Sequence, residues 1–420
     1  MLATLSLTVT VSYGVLVYAY PVLLKPMESD LGLSRGQTSA ALSIAFLVSA
    51  VVAVPAGRWL DRRSPRMLMT TGSLLATGAL IGWATVGSLW QLYADFAVLG
   101  VAMALVLYDP AFAVIAKLFH PSPRRALTIL TLVGGLAAII FTPLTQWLVE
   151  TSDWRAALLA LALIAAVTTV LPSAAFLPNW NRRSTPPNVG DPLGPARSSL
   201  LQEGVEARTA IRGGAFWSLT LALFVGYFLS VAVLVHLIPY LTERDFSPRF
   251  AALAAGLVGL MQIPGRALML PLERRITRPA LTTAIFGLQA LALLLLQMAS
   301  SVVVVLIFVV WFGMVRGLVP LARATLLADF YGPGSYGTIS GVVGFFAALA
   351  QALAPAGIGL LHDQFNGYRE SIWLMFVAGA IGTFAALWAE RHAPARTQRL
   401  APSCASDDIE QRRRVAGRTA

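Results

Sequence analysis

Long apolar runs, each closed by a short polar cluster, set the rhythm of this chain. A helix needs about 20 apolar residues to cross the hydrocarbon core of a bilayer. Twelve runs approach or reach that length, at roughly 3–24, 37–57, 67–88, 94–117, 127–149, 155–177, 215–241, 250–271, 280–299, 302–324, 338–360 and 370–389. Only a Ser-Ser hinge at 300–301 separates the ninth run from the tenth, and the third and fourth are joined almost as tightly. No soluble domain fits into such links. The pattern therefore predicts an all-α integral membrane protein of twelve transmembrane helices, with little outside the bilayer.

Two longer polar stretches divide the chain. Residues 178–213 are rich in Pro, Gly, Ser and Arg and carry little hydrophobic periodicity, the composition of a solvated linker. A short interfacial helix is expected within it, near 199–211. Beyond 391 the sequence is polar and expected to be a disordered tail. The organisation read from this is a six-helix bundle over 1–177, a cytoplasmic linker over 178–213, a second bundle over 214–391 and a tail over 392–420.

Composition supports the membrane reading and charge adds an orientation. The chain is 57% hydrophobic and 12% charged, with a mean hydropathy of +0.72, outside the range of soluble domains. With both termini placed in the cytoplasm, the inner loops collect most of the 31 basic residues. The outer loops hold only Lys25, Arg35, Arg155, Arg244, Arg249 and Arg369. The positive-inside rule selects that orientation, and a multi-pass protein of the cell inner membrane is expected. The net charge of +11 is then a topology signal with some affinity for anionic lipid, and nucleic acid is not needed to explain it. A single cysteine, Cys404, excludes a disulfide framework.

The two halves echo one another. The fourth run into the fifth reads YDPAFAVIAKLFHPSPRRALTILTLVGG, and the tenth into the eleventh reads LVPLARATLLADFYGPGSYGTISGVVG. Both halves also enter their last run through an aromatic-Arg pair, Trp154-Arg155 and Tyr368-Arg369. Duplicated halves of this kind place a binding site near the midplane between them.

Between the second and third runs lies GRWLDRRSPR (57–66), which resembles the signature loop of the major facilitator superfamily, G-x-x-x-D-R-x-G-R-K/R. Gly57, Asp61, Arg62 and Arg66 match, while Ser64 and Pro65 depart from the pattern. GRALMLPLERR (265–275) stands at the equivalent place in the second half as a degenerate copy ending in Glu273-Arg274. The resemblance covers roughly 1–391. It implies the major facilitator fold, two pseudo-symmetric six-helix bundles, and associates this loop with conformational control. A physical reason can be given beside it: a carboxylate at Asp61 can reach a positive helix N-terminus across the bundle interface. Arg62 and Arg66 would then pair with nearby acids to latch the inner gate. The bland reading is that these arginines only set topology.

Four segments further resemble the monocarboxylate-porter-like branch: 12–43, 108–119, 236–266 and 336–344. In that branch an arginine of the eighth span binds the substrate carboxylate and an aspartate one turn earlier assists proton coupling. Arg266 occupies the arginine position, and Gln262 stands where the aspartate would be. Drug:proton antiporters of the superfamily carry G-x-x-x-G-P-x-x-G-G in the fifth span. Here that span reads LTLVGGLAAIIFTPLTQWL, with no Gly-Pro, which weakens an efflux reading.

Three charges fall deep in apolar runs near a proline: Asp109 before Pro110, Arg266 after Pro264 and Arg316 before Pro320. Charge at bilayer depth is costly and marks a pathway by default. Proline frees a backbone carbonyl, so the helices are expected to be broken or irregular there. Arg316 is a candidate anion site or half of a structural pair. Arg266 competes between substrate contact and snorkelling. Asp109 could carry the coupling proton or serve as counter-ion to Arg316. His236, a turn from the outer end of the seventh span, is either a proton relay or a hydrogen-bonded structural histidine. Tyr18 and Tyr108 could donate hydrogen bonds within a cavity, or belong to an aromatic belt. Two arginines against one aspartate leave the interior near +1, a surplus that a carboxylate substrate would neutralise.

The residues thus favour a secondary transporter that moves a small organic anion, a monocarboxylate by resemblance, with a proton by alternating access. A proton-driven efflux antiporter is the alternative. A membrane enzyme or sensor is the different-class alternative, but no H-E-x-x-H, C-x-x-C or nucleophile elbow is present. No P-loop, metal motif or cofactor motif is read, and a monomer surrounded by lipid is expected.

Overall fold

Inside a bilayer the backbone must satisfy its own polar groups, so long apolar runs fold as helices. The computed structural model describes residues 1–62, 64–118, 123–177, 207–273, 275–331 and 336–392. The side chains of Asp61, Arg62, Asp109 and Glu273 lie outside the description, as do most of the linker and the tail. Among the described residues, 12 helices are long and apolar enough to cross a membrane. In the first half these are α1 (Leu2–Leu31), α2 (Arg35–Leu60), α3 (Pro65–Ala84), α4 (Leu89–Phe112), α5 (Ala126–Thr151) and α6 (Trp154–Phe176). In the second half they are α7 (Gly214–Glu243), α8 (Pro248–Met269), α9 (Ala280–Gln297), α10 (Val302–Arg323), α11 (Ile339–Phe365) and α12 (Arg369–Arg391). A short helix, Ala207–Arg212, precedes α7.

Local chemistry sets several ends. Asp153 caps α6, its carboxylate accepting from the Ala156 N–H at 2.7 Å. Gly32, at φ 63°, closes α1 in the left-handed conformation that glycine adopts without a Cβ clash. Large apolar side chains such as Leu163 and Phe384 face outward, where lipid replaces water.

The expected proline breaks are realised selectively. The helix of α8 runs through Pro264 and Pro271, and that of α10 through Pro320, without interruption. Packing against neighbouring helices supports the backbone there, so proline alone does not break a transmembrane helix. α4 does break, at Leu107, where the backbone turns extended three residues before Pro110. α1 likewise carries a π-helical stretch over Gly14–Tyr18 that ends three residues before Pro21, and α5 turns at 135–136.

Among the described residues the halves meet from the far end to mid-depth, where Gly259 of α8 packs on Ala138 of α5. "Far end" here denotes the end opposite the one at which Met1 and Arg391 lie. The start of α2 packs on the finish of α11: Ser43 Oγ accepts from the Ala356 N–H at 3.0 Å, and a Cβ on Gly359 would come within 2.8 Å of the Arg35 carbonyl. The largest apolar core cluster joins residues of both halves there, including Tyr20, Leu23, Val235, Ala251, Ile358 and Tyr368. The other two clusters each belong to a single half. Gly57 and Gly341, near the opposite ends of the same two helices, have nothing within 4 Å of a Cβ position. Among the described residues the halves are closed on each other at the far end and make no such contact at Gly57 and Gly341 toward the end bearing the termini.

Candidate functional site

Three backbone irregularities converge on one cavity. The π-helical stretch of α1 is flanked by Tyr13 and ends on Tyr18, the break in α4 frees Tyr108, and the turn in α5 leaves Gly134 against the Tyr108 hydroxyl. A π-bulge re-aims side chains within an otherwise regular helix and commonly marks a functional site. The cavity has a volume of about 220 Å³ and is lined from both halves. Tyr13, Tyr18, Ser49 and Tyr108 contribute from the first, Arg316 and Gln351 from the second. The Tyr13 and Tyr108 rings lie 4.6 Å apart, and Phe112 stacks on Tyr108 at 5.1 Å, so one wall is aromatic.

Arg316 is the only full charge among the described lining residues. Its guanidinium lies near the Tyr18 hydroxyl and feels the positive charge of Arg266. Tyr108 sits in the field of both Tyr18 and Arg266. Glycine places the two arginines side by side. A Cβ on Gly265 would lie 2.2 Å from the Met314 carbonyl oxygen, and one on Gly317 would lie 2.6 Å from that of Gln262. Only glycine permits α8 and α10 to approach so closely, and Arg266 and Arg316 are the residues next to those contacts. Arg266 does not line the cavity; it donates to Gln262 Oε1 at 3.3 Å. Among the described residues no carboxylate stands within ion-pair distance of either arginine. The Asp109 side chain, expected to couple protons or neutralise Arg316, lies outside the description.

The interior charge count needs a correction. Asp95 is also inside a span, on α4, half-buried against Gly82 of α3, with one carboxylate oxygen buried and unpartnered. The helix begins earlier than the apolar run predicts, which carries Asp95 inward. The local fact replaces the global sum: the cavity lining holds Arg316 and no described acid.

The gating expectations are redistributed. Arg66 donates to the backbone carbonyls of Leu177 at 2.7 Å and Ala175 at 3.0 Å, so it holds the end of α6, and among the described residues no acid pairs with it. Gly57 faces open space. The side chains of Asp61, Arg62, Glu273 and Arg274 lie outside the description. His236 is buried near the far end, apart from the cavity. One ring nitrogen lies 2.9 Å from the Tyr368 hydroxyl and the other 3.0 Å from the Pro355 carbonyl.

Sequence reasoning missed the polar cluster around that histidine. Arg35, counted as an outer-loop charge, is 7% exposed. It binds Glu28 of its own half at 2.5 Å, and Glu243 at 3.1 Å and the Tyr368 hydroxyl at 2.5 Å from the other half. Asp363 accepts from the backbone N–H groups of Arg35 at 3.1 Å and Gly36 at 2.8 Å, capping α2 from across the interface. Burial pushes the Tyr368 hydroxyl well above the usual phenol range, with Arg35 opposing, so it stays protonated. A signal was available: an arginine in an outer loop runs against the positive-inside trend.

Comparison with known proteins agrees with this architecture. The family model of the Major Facilitator Superfamily matches residues 5–355. Monocarboxylate transporter 13 of Rattus norvegicus is 27% identical over 356 residues, covering 81% of this chain and 77% of its own length. Monocarboxylate transporter 11 of Homo sapiens is 29% identical over 390 residues, covering 86% and 76%. Among solved structures, a bacterial homologue of the human lysosomal transporter Spinster, in an inward-facing and occupied conformation, superposes with a TM-score of 0.74 at 15% identity, covering 93% of this chain and 96% of that one. The D-xylose-proton symporter superposes with a TM-score of 0.70 at 13% identity, covering 93% and 98%.

Proposed function

The chain belongs to the Major Facilitator Superfamily, and from that premise we propose that this membrane transporter carries a small monocarboxylate together with a proton by alternating access. It is a transporter and not an enzyme. The observation that carries the substrate reading is Arg316, a guanidinium facing a cavity of about 220 Å³ with aromatic walls and no described acid. A guanidinium presents parallel N–H donors that match a carboxylate. The hydroxyls of Tyr18, Tyr108 and Ser49 offer further donors, and the rings of Tyr13, Phe46 and Tyr108 suit an apolar or aromatic tail. A cation there would meet Arg316 uncompensated. The resemblance to monocarboxylate transporters supports the same class.

Anchoring by Arg316 of α10 departs from the branch pattern, which places the substrate arginine at the position of Arg266. In this reading Arg266 supports: it holds Gln262 and adds positive potential beside Tyr108. A far end closed across the halves, with the cavity below it, supports the alternating-access reading. With both termini cytoplasmic, the described state is open to the cytoplasm.

Proteoliposomes with a trapped pH dye test the reading. Mono- and dicarboxylates are added under an imposed pH gradient, with cationic drugs as contrast and protein-free liposomes to subtract passive acid leak. Saturable proton movement with a monocarboxylate is expected. A response confined to cationic drugs would overturn the assignment.

A further inference from the structure

The far-end cluster does more than hold the halves together, because its hydrogen bonds fix where protons sit. Arginine only donates, so at 2.5 Å the Tyr368 oxygen accepts from Arg35. The Tyr368 proton is then directed to His236 Nδ1 at 2.9 Å, which must offer a lone pair. The remaining nitrogen, Nε2, carries the hydrogen and donates to the Pro355 carbonyl at 3.0 Å. His236 is thereby assigned as a neutral imidazole with both positions occupied. Adding a proton at Nδ1 would leave the Tyr368 hydrogen without a partner and bury a second cation beside Arg35.

This chain of bonds crosses the interface. Arg35 belongs to the first half and moves with Glu28, its partner at 2.5 Å on α1. Tyr368, His236, Glu243 and the α11 pair His362 and Asp363 belong to the second half. Opening the far end breaks Arg35 from Tyr368 and Glu243, and frees Asp363 from the start of α2. The Tyr368 hydroxyl, no longer held as the acceptor of a guanidinium, can then turn its hydrogen away and accept from a protonated Nδ1 of His236, and the Glu243 carboxylate stands on the same helix as that histidine.

We propose that the far end is a proton-linked gate, in which His236 takes up a proton only after Arg35 has withdrawn, so that protonation favours opening. The proposal rests on the proton-coupled reading above and gives it a site, distinct from the substrate cavity. The other titratable groups of the cluster are Tyr20 and Glu28 on α1, Tyr240 and Glu243 on α7, His362 and Asp363 on α11, and Tyr368 before α12. His362 is the chief competitor, 3.2 Å from Glu243 and 3.7 Å from Asp363. A proton on it strengthens pairing within the second half and leaves the bonds of Arg35 intact.

The test is a distance measurement on the full chain in lipid nanodiscs without substrate. Nitroxide labels are placed at Ser29→Cys and Gln364→Cys, two exposed far-end positions in opposite halves, on a Cys404→Ser background. Double electron–electron resonance is recorded between about pH 8 and about pH 5, spanning the ordinary histidine range. The wild-type background should show a short distance at high pH and a longer one growing as pH falls. For one linked proton the open-to-closed ratio rises by up to about tenfold per pH unit. His236→Gln should flatten that response, and His362→Gln should retain it. Tyr368→Phe should keep the response but move it to higher pH, because it releases Nδ1 and removes one bond of Arg35. A full pH response in His236→Gln, its loss in His362→Gln, or no response in the background would each overturn the proposal. Because no substrate enters the measurement, an error in the anion assignment would leave its outcome unchanged.

Discussion

Replacing Arg316 with glutamine removes the one full charge among the described cavity-lining residues and retains a polar side chain of similar length. In the proposed complex two N–H groups of the guanidinium face the two oxygens of a carboxylate. A hydrogen bond to a charged partner contributes about 1.5–3 kcal/mol, so losing two costs about 3–6 kcal/mol. At about 1.4 kcal/mol per factor of ten, that is a roughly 10²–10⁴-fold weaker apparent affinity. Arg316→Lys keeps the charge but presents a single point, and should lose about half as much, roughly 10–10²-fold. Arg266→Gln should fall below both, because its guanidinium is already engaged with Gln262 and stands off the cavity. The assay is the concentration dependence of carboxylate uptake into proteoliposomes, with elution on size exclusion to show that each variant is folded. Arg316→Gln should fold, since no described carboxylate is left unpaired by it. An apparent affinity within about threefold of wild type for Arg316→Gln would refute the reasoning, as would a larger loss in Arg266→Gln.

Two predictions concern construction. Gly265→Ala and Gly317→Ala push a Cβ against backbone oxygens of the facing helix, at 2.2 and 2.6 Å. Each should destabilise by about 1–3 kcal/mol through overpacking; thermal unfolding in detergent should show lowered midpoints, while Gly57→Ala, with nothing within 4 Å, leaves the midpoint unchanged. Arg66→Ala removes the two bonds to the end of α6 and should cost about 1–3 kcal/mol of stability, with the transport rate per folded molecule held within about twofold. A large loss of rate with unchanged unfolding would instead return Arg66 to a gating role.

Twelve helices were legible because a bilayer solvates no free backbone, so apolar length alone dictates a span. The resemblance in 57–66 pointed to the family, and costly charge at depth pointed to Arg316, since neither needs knowledge of neighbours. What the sequence determined by itself is thus every feature set by transfer from water to lipid, one residue at a time. The tertiary structure decided the rest. Proline at 264 and 320 does not break its helix, whereas the backbone is irregular just before Pro21 and Pro110; the neighbours that support a freed carbonyl are distant in sequence. Arg316 lines the cavity whereas Arg266 turns to Gln262, a difference that only the packing of α8 on α10 decides. Arg35, ordinary as a loop charge, is bound to Glu28, Glu243 and Tyr368, and Asp363 caps its helix; residues 28 and 368 meet only when two halves close on each other. A buried ion network is a property of that meeting, because its burial and its partners come from different segments of the chain.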